Sequence, residues 1–214
     1  MPEVDQLAYG TGRRLHMAVM FLDICGFSSR PAESHLEQNL LLNVLNLFFS
    51  EMTRIVEEYD GTVEKNTGDG LMAYFEDGSA NSSELGVKRA VSAALTMMHA
   101  NGGLIGPILA QNQIQPIDFR ITLDSGEVTV ARLGAQRRFN ARVAVGTTAN
   151  IASKMLSFAG PNEILLGEKA KLELPFSWQV AWTEFGTFDS GWVYRTTQMP
   201  YPFYRYNGRW VSPA

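Results

Sequence analysis

Hydrophobic and polar positions alternate along this chain in two distinct rhythms. Residues 15–24 form a short, almost wholly apolar run, the pattern of a buried strand. Over 35–58, Leu36, Leu40, Leu41, Val44, Leu45, Phe48, Met52, Ile55 and Val56 recur at spacings near three and four, which predicts a helix with a broad buried face. Asp60-Gly61 then reads as a turn. Two short β runs, 62–66 and 71–75, flank a glycine-lined tip at 67–70 and predict a hairpin. A loop at 76–83 precedes a second amphipathic helix over 85–99, broken or followed by the stretch NGGLIGP. Strands are expected at 119–123, 128–133 and 139–145, with DSGE as a turn between the first two. A helix over 147–158, a strand at 164–166 and a terminal hairpin from 178–185 and 192–195 complete the reading. The order β-α-ββ-α-β predicts an α+β fold, a ferredoxin-like sheet covered by helices with extra strands after it.

Within the first strand, the ten residues from Met17 to Gly26 hold one charge, Asp23. An uncompensated buried carboxylate is costly, so the strand must deliver Asp23 to a partner. Asp69 sits at the tip of the following hairpin, which lies beside the first strand in a β-α-ββ unit. Alone, Asp23 also reads as a turn cap, and Asp69-Gly70 as an ordinary hairpin tip. Together, at one end of a sheet, they suit a divalent cation held by one or two carboxylates and completed by substrate phosphates. Gly26, followed by Phe27 and Ser28, offers backbone N–H groups to an anion where the strand turns.

Composition narrows the function. The 214 residues are 45% hydrophobic, enough for a substantial core, and the formal net charge is −4. That balance argues against a general nucleic-acid binder. The single cysteine, Cys25, cannot form a disulfide within the chain and fits a reducing cytoplasm. No apolar run is long enough to cross a bilayer, and the polar N-terminus is unlike a signal peptide. We expect a cytoplasmic protein with no membrane partner. A polar lead-in is read over 1–14, one catalytic domain over 15–200 and an aromatic tail over 201–214.

Four ordered motifs carry a resemblance. Phe21-Leu22-Asp23-Ile24-Cys25-Gly26-Phe27 resembles the F-x-D-I-x-G-F motif of class III nucleotide cyclases. Glu64-Lys65-Asn66-Thr67-Gly68-Asp69-Gly70 is similar to their E-K-x-x-G-D-G hairpin. Arg120-Ile121 with Ser125-Gly126 resembles their R-I-x-x-x-x-G strand, and the nine residues from Gly146 to Lys154 their G-x-x-V-N-x-A-S-R helix start. The resemblance implies that Asp23, Asp69 and the backbone carbonyl of Ile24 bind two Mg²⁺ or Mn²⁺ ions. It implies that Phe21 lines the nucleotide site, that Asn150 orients the ribose, and that Lys154 stands where the family has a transition-state arginine. It further implies a homodimer with shared active sites that converts a nucleoside triphosphate to a cyclic nucleotide and pyrophosphate. On their own, Asn150 also reads as a helix-start residue and Lys154 as a solvated charge.

The base pocket departs from the family. Lys65 stands where adenylate cyclases place the lysine that reads adenine, and it also reads as a surface partner of Glu64 or Asp69. The residue that would accept the adenine amino group is Val143, which cannot accept a hydrogen bond. Uracil presents carbonyl acceptors and no amino group, so UTP is favoured, before CTP. With cyclase motifs from near the N-terminus and little chain after them, the whole is similar to the stand-alone pyrimidine cyclases of bacterial anti-phage (Pycsar) operons. Adenylate cyclase, or a degenerate nucleotide-binding regulatory module, are the alternatives.

Overall fold

The computed structural model describes residues 10–66, 68–78, 84–135, 139–186 and 192–209, with side chains at 66, 132–135, 139–143 and 180–186 excepted. Strand β1, Gly12–Ile24, is central. Helix α1, His35–Glu58, has the bounds its periodicity predicts. It begins at a capping box, in which Ser34 Oγ accepts from the Glu37 N–H and the Glu37 carboxylate accepts from the Ser34 N–H. Strands β2 (Thr62–Asn66) and β3 (Gly70–Glu76) form the predicted hairpin. Helix α2, Gly86–Ala100, does not end at the NGGLIGP stretch. It continues through a π-helical turn, Asn101–Ile105, into α3, Gly106–Gln111.

Strand β4, Phe119–Ala135, is one continuous element where two strands and a turn were expected. DSGE has turn composition, but this stretch pairs without interruption along β1, from Gly12 opposite Ala131 to Ile24 opposite Phe119. Ladder hydrogen bonds along the whole strand outweigh local turn preference. Gly126 accommodates this at φ +146°, and a Cβ there would stand 3.0 Å from Thr148 Oγ1 on the next helix. Strand β5, Phe139–Val145, pairs with the far end of β4. Helix α4, Thr147–Met155, ends in a short 3₁₀ turn, and β6 spans Ile164–Gly167.

The C-terminal part corrects the sequence reading. Among the described residues, 178–185 and 192–195 do not pair as a hairpin. Residues there form helices α5 (Glu168–Glu173) and α6 (Phe176–Trp182) and strand β7 (Thr183–Gly186). The partner of β7 is β8, Phe203–Tyr206, inside the segment read as a tail. The sheet runs β2-β3-β1-β4-β6-β8-β7, with β5 on β4. It therefore extends past both boundaries drawn from sequence, at residues 15 and 200. Most of the lead-in (1–9), most of the loop (79–83) and the last residues of the tail (210–214) lie outside the described residues.

Alternation along β1 sorts two cores. Ala18, Met20, Leu22 and Ile24 face α1 and α2, where Phe48, Met52 and Ile55 are fully buried. Burying each such side chain contributes about 1.5–3 kcal/mol. Met17 and Val19 face the other way, toward α4 and the aromatic residues Tyr201 and Phe203. Tyr201 also donates a 2.8 Å hydrogen bond to Asp124, a buried carboxylate on β4. The described residues contain no helix long and apolar enough to cross a membrane.

Candidate active site

Asp23 shares the parity of Met17 and Val19, so it projects from the α4 face of the sheet. It lies opposite Gly70 on β3 and opposite Arg120 on β4. Arg120 Nε and Nη2 both donate to Asp23 Oδ2, at 2.9 and 2.6 Å, and Nη1 donates to the Ala159 carbonyl at 3.3 Å. The partner that sequence reasoning sought for Asp23 is thus in part a guanidinium. Arg120 was noted as part of a motif, but its role was missed, because strand register pairs it with a residue 97 positions away.

Asp69 is brought to the same place by the backbone. The Ile24 N–H donates to the Asp69 carbonyl at 3.0 Å, which joins the end of β1 to the hairpin tip. Beyond Ile24 the chain turns at Gly26, whose φ of +65° suits glycine, into a 3₁₀ turn over Phe27–Ser29. The turn is fixed by the Ser29 hydroxyl donating to the Gly26 carbonyl at 2.6 Å and by Cys25 N–H donating to the Asp118 carbonyl at 2.8 Å. Burial pushes the Cys25 thiol above its ordinary pKa, with Arg120 opposing, so this cysteine packs and is a poor nucleophile. Phe21 is half-buried against the α4-side core, and Phe27 packs against the other.

Two carboxylates and a strand-end carbonyl are hard oxygen donors of the kind that hold Mg²⁺ or Mn²⁺. Among the described residues no group of three or more His, Cys, Asp or Glu could hold a metal ion by itself. The donor set therefore fits ions whose coordination is completed by substrate phosphates and water. His16 stands apart, between Asp77 at 2.7 Å and Glu173 at 3.2 Å, as a satisfied histidine.

Strands β2 and β5, which carry Lys65 and Val143, also meet. Lys65 on β2 is half-exposed, with Nζ 3.3 Å from Glu64 Oε1. Glu64 is the extra residue of a β-bulge between Val63 and Lys65. Its side chain is 1% exposed, and Oε2 accepts from the Ala144 N–H at 3.0 Å. Oε1 has no hydrogen-bond partner. Glu64 thereby clamps β2 to β5 beside Val143, which sits opposite Ala131 and whose side chain lies outside those described. Sequence reasoning noted Glu64 as the first residue of a motif and as a surface partner of Lys65, and assigned it no role in the site. An acidic residue directly before that lysine was the available signal.

Asn150 and Lys154 are four apart on the outer face of α4, both exposed. The opposite face buries Thr148, Ala149, Ile151, Ala152 and Met155. Thr122 Oγ1 donates to the Ala152 carbonyl at 2.7 Å and ties this helix to β4. No hydrogen bond or ion pair joins Asn150 or Lys154 to Asp23 or Asp69 within the chain. One protomer thus presents a carboxylate end, Lys65 on β2 and an Asn/Lys helix face with no hydrogen bond or ion pair between Asp23 or Asp69 and Asn150 or Lys154.

This sheet, with its carboxylates at one strand end, has the architecture of a class III nucleotide cyclase catalytic domain. Residues 12–189 match the family model described as the adenylate and guanylate cyclase catalytic domain, and the chain belongs to that family. It is 24% identical over 170 residues to a cytidylate cyclase from Staphylococcus aureus, covering 77% of this chain and 39% of that protein. The chain spans well under half the length of the curated relatives it matches. Among solved structures it resembles the adenylyl cyclase CyaB from P. aeruginosa, with 26% identity, a TM-score of 0.72, and 95% of this chain and 97% of that one covered. It shares its fold with the guanylyl cyclase Cya2, with 21% identity, a TM-score of 0.75, and 92% and 94% covered.

Proposed function

We propose that the chain is a metal-dependent nucleotidyl cyclase that converts a pyrimidine nucleoside triphosphate, UTP first, into its 3′,5′-cyclic monophosphate and pyrophosphate. The observation that carries the cyclase reading is the meeting of Asp23 and Asp69 at one sheet end, in a chain whose family is that of nucleotide cyclases. Asp23, Asp69 and the Ile24 carbonyl would hold two Mg²⁺ or Mn²⁺ ions. When bound, such ions favour the 3′-alkoxide and neutralise the departing pyrophosphate. The 3′-oxygen bonds to the α-phosphorus, the bond from that phosphorus to the α,β-bridging oxygen breaks, and the 3′-hydroxyl proton passes to solvent.

The protein's own groups set the geometry. Arg120 fixes the Asp23 carboxylate through two hydrogen bonds. The backbone turn at Gly26 and Phe27 faces the phosphates, and Phe21 lines the sugar-base side. Asn150 orients the ribose, and Lys154 places a compact positive charge on the phosphoryl oxygens, where charge develops. Asn150 and Lys154 make no hydrogen bond or ion pair to Asp23 or Asp69 within one chain, and the family resemblance implies a homodimer whose two shared sites supply both sets.

The pyrimidine reading rests on Lys65, a donor, beside Val143, which has no acceptor. A second reading, CTP, is favoured by Glu64 Oε1, a buried acceptor that is ion-paired with Lys65 but accepts no hydrogen bond and suits the cytosine amino group. The similarity to a cytidylate cyclase leans the same way. A second-messenger role in anti-phage defence rests on the resemblance to the pyrimidine cyclases of anti-phage operons. Incubation with Mn²⁺ and an equimolar mixture of the four nucleoside triphosphates, with products identified by mass, tests the substrate. Cyclic UMP is expected, cyclic CMP would select the second reading, cyclic AMP would overturn both, and binding without cyclic product would indicate a degenerate regulatory module. For the defence role, cells that express the chain from its native locus should lose protection against phage when Asp69 is replaced by Ala.

A further inference from the structure

On the opposite face of the sheet from Asp23, a cavity of about 520 Å³ lies between the end of α2, the loop before β6 and the chain from Arg205 to Arg209. It has the size of a small-molecule site. Two of its lining residues carry buried polar atoms with nothing to bond. Tyr206 is 4% exposed and its hydroxyl has no hydrogen-bond partner. Asn101 opens the π-helical turn, and its Nδ2 donates to the Ile117 carbonyl at 2.7 Å. That bond fixes its Oδ1 as the free acceptor, and Oδ1 is also buried and unpartnered. Native interiors leave few such groups, and π-turns recur at functional sites.

The charges around the cavity are selective. Arg205 is paired with Glu163 at 2.8 Å, and Arg209 adds a further guanidinium. The cavity's two guanidinium groups and the Glu163 carboxylate together carry one net positive charge. Leu95 and Met98 supply an apolar wall. Burial pushes the Tyr206 phenol upward, so it remains an O–H donor across the working pH range. The complement is an organic monoanion of mononucleotide size with an apolar ring, an acceptor for Tyr206 and a donor for Asn101. Among mononucleotides, a cyclic phosphodiester carries one negative charge, whereas a 5′-monophosphate or triphosphate carries more.

We propose that this cavity is an effector site for a nucleoside cyclic monophosphate, its phosphodiester on Arg209 and its base against the wall formed by Tyr206 and Asn101. The site is separate from the one that holds Asp23 and Asp69. It rests on the cyclase reading only for the source of the ligand, which would make it a product-sensing site.

Calorimetric titration of the full chain in metal-free buffer tests this, with cyclic UMP, cyclic CMP, cyclic AMP, 5′-UMP and inorganic phosphate as probes. At least one cyclic nucleotide should bind saturably and more tightly than 5′-UMP or phosphate. Arg209→Glu should weaken it by about tenfold or more, since it reverses a charge-assisted contact. Tyr206→Phe should weaken it several-fold with no loss of thermal stability, because the unbound protein then loses an unpaired buried hydroxyl. Asp69→Asn should leave binding unchanged. No saturable binding of any cyclic nucleotide would overturn the proposal. So would equal affinity for 5′-UMP or phosphate, or binding that Asp69→Asn removes and Arg209→Glu and Tyr206→Phe spare. Because turnover is not read, a chain that binds but makes no cyclic product would fail the cyclase reading and keep this site.

Discussion

Arg120 grips a single oxygen of Asp23, Oδ2, through both Nε and Nη2, from the facing position on the neighbouring strand. The pair is neither deeply buried nor free, with side chains 30% and 21% exposed. A guanidinium so placed holds the carboxylate in one orientation and offsets its charge before any cation arrives.

Removing that grip should cost function more than fold. Arg120→Ala is expected to lower pyrophosphate release by roughly 10- to 100-fold, the usual effect of losing a group that orients a metal ligand. Solvent screening at this exposure limits the stability loss to about 1 kcal/mol. Pyrophosphate-coupled kinetics and urea melts measure the two, and a variant as active as wild type would exclude the orienting role.

Asp23→Ala and Asp69→Ala should each abolish cyclic-nucleotide formation with an unchanged circular dichroism spectrum. Either variant folding normally while turning over would contradict the metal assignment. Sedimentation of the active protein should likewise give a dimer, and a fully active monomer would refute a site shared between chains.

Glu64 divides two effects. Glu64→Ala leaves the Ala144 N–H without its acceptor, at a cost of about 1–3 kcal/mol for a buried donor. Glu64→Gln preserves an oxygen for Ala144 and removes the charge beside Lys65. If Oε1 receives the cytosine amino group, Glu64→Gln should lower the ratio of CTP to UTP turnover. An unchanged ratio would remove Glu64 from base selection.

Asp124 predicts a pH effect of defined sign. Burial pushes its carboxyl up to about 7, against the opposing pull of the Tyr201 hydroxyl, the Ser125 and Ala170 backbone and Lys169. The folded state therefore keeps a proton that the unfolded chain releases near pH 4. Its contribution to stability is full below that pH and is lost as pH rises toward 7. The slope is at most about 1.4 kcal/mol per pH unit, and flat above. Denaturant melts from pH 4.5 to 8 should show this fall in wild type and a shallower one in Asp124→Asn; parallel curves would show that Asp124 does not titrate there.

What was legible in the sequence is what local pattern controls. The bounds of α1 follow from its apolar periodicity and from Ser34 and Glu37 at its start, and the β2–β3 hairpin follows from its glycine-rich tip. Asp23 and Asp69 stood out because charge is anomalous in apolar strands and at a tip beside them. The illegible parts are set by pairing over distance. Asp124-Ser125-Gly126 has the composition of a turn, yet pairing along β1 keeps it extended. Phe203–Tyr206 looked like a tail because nothing nearby signals that its partners are β6 and β7. Arg120 and Glu64 owe their roles to strand register and to a bulge, which a list of residues does not display.

β4 has a temporal consequence as well. Asp23, Asp69 and the hairpin between them emerge early as the chain is synthesised from its N-terminus. Arg120, which restrains Asp23, and Thr122, which seats α4, both come later on one strand. The carboxylate end can therefore be assembled only after contacts spanning 97 residues have closed. Such closures are slow because chain entropy is lost before the contacts form. A newly made chain passes through a stage in which Asp23 exists without its guanidinium, and the addition of β4 ends that stage before β5 and α4 deliver Val143, Asn150 and Lys154.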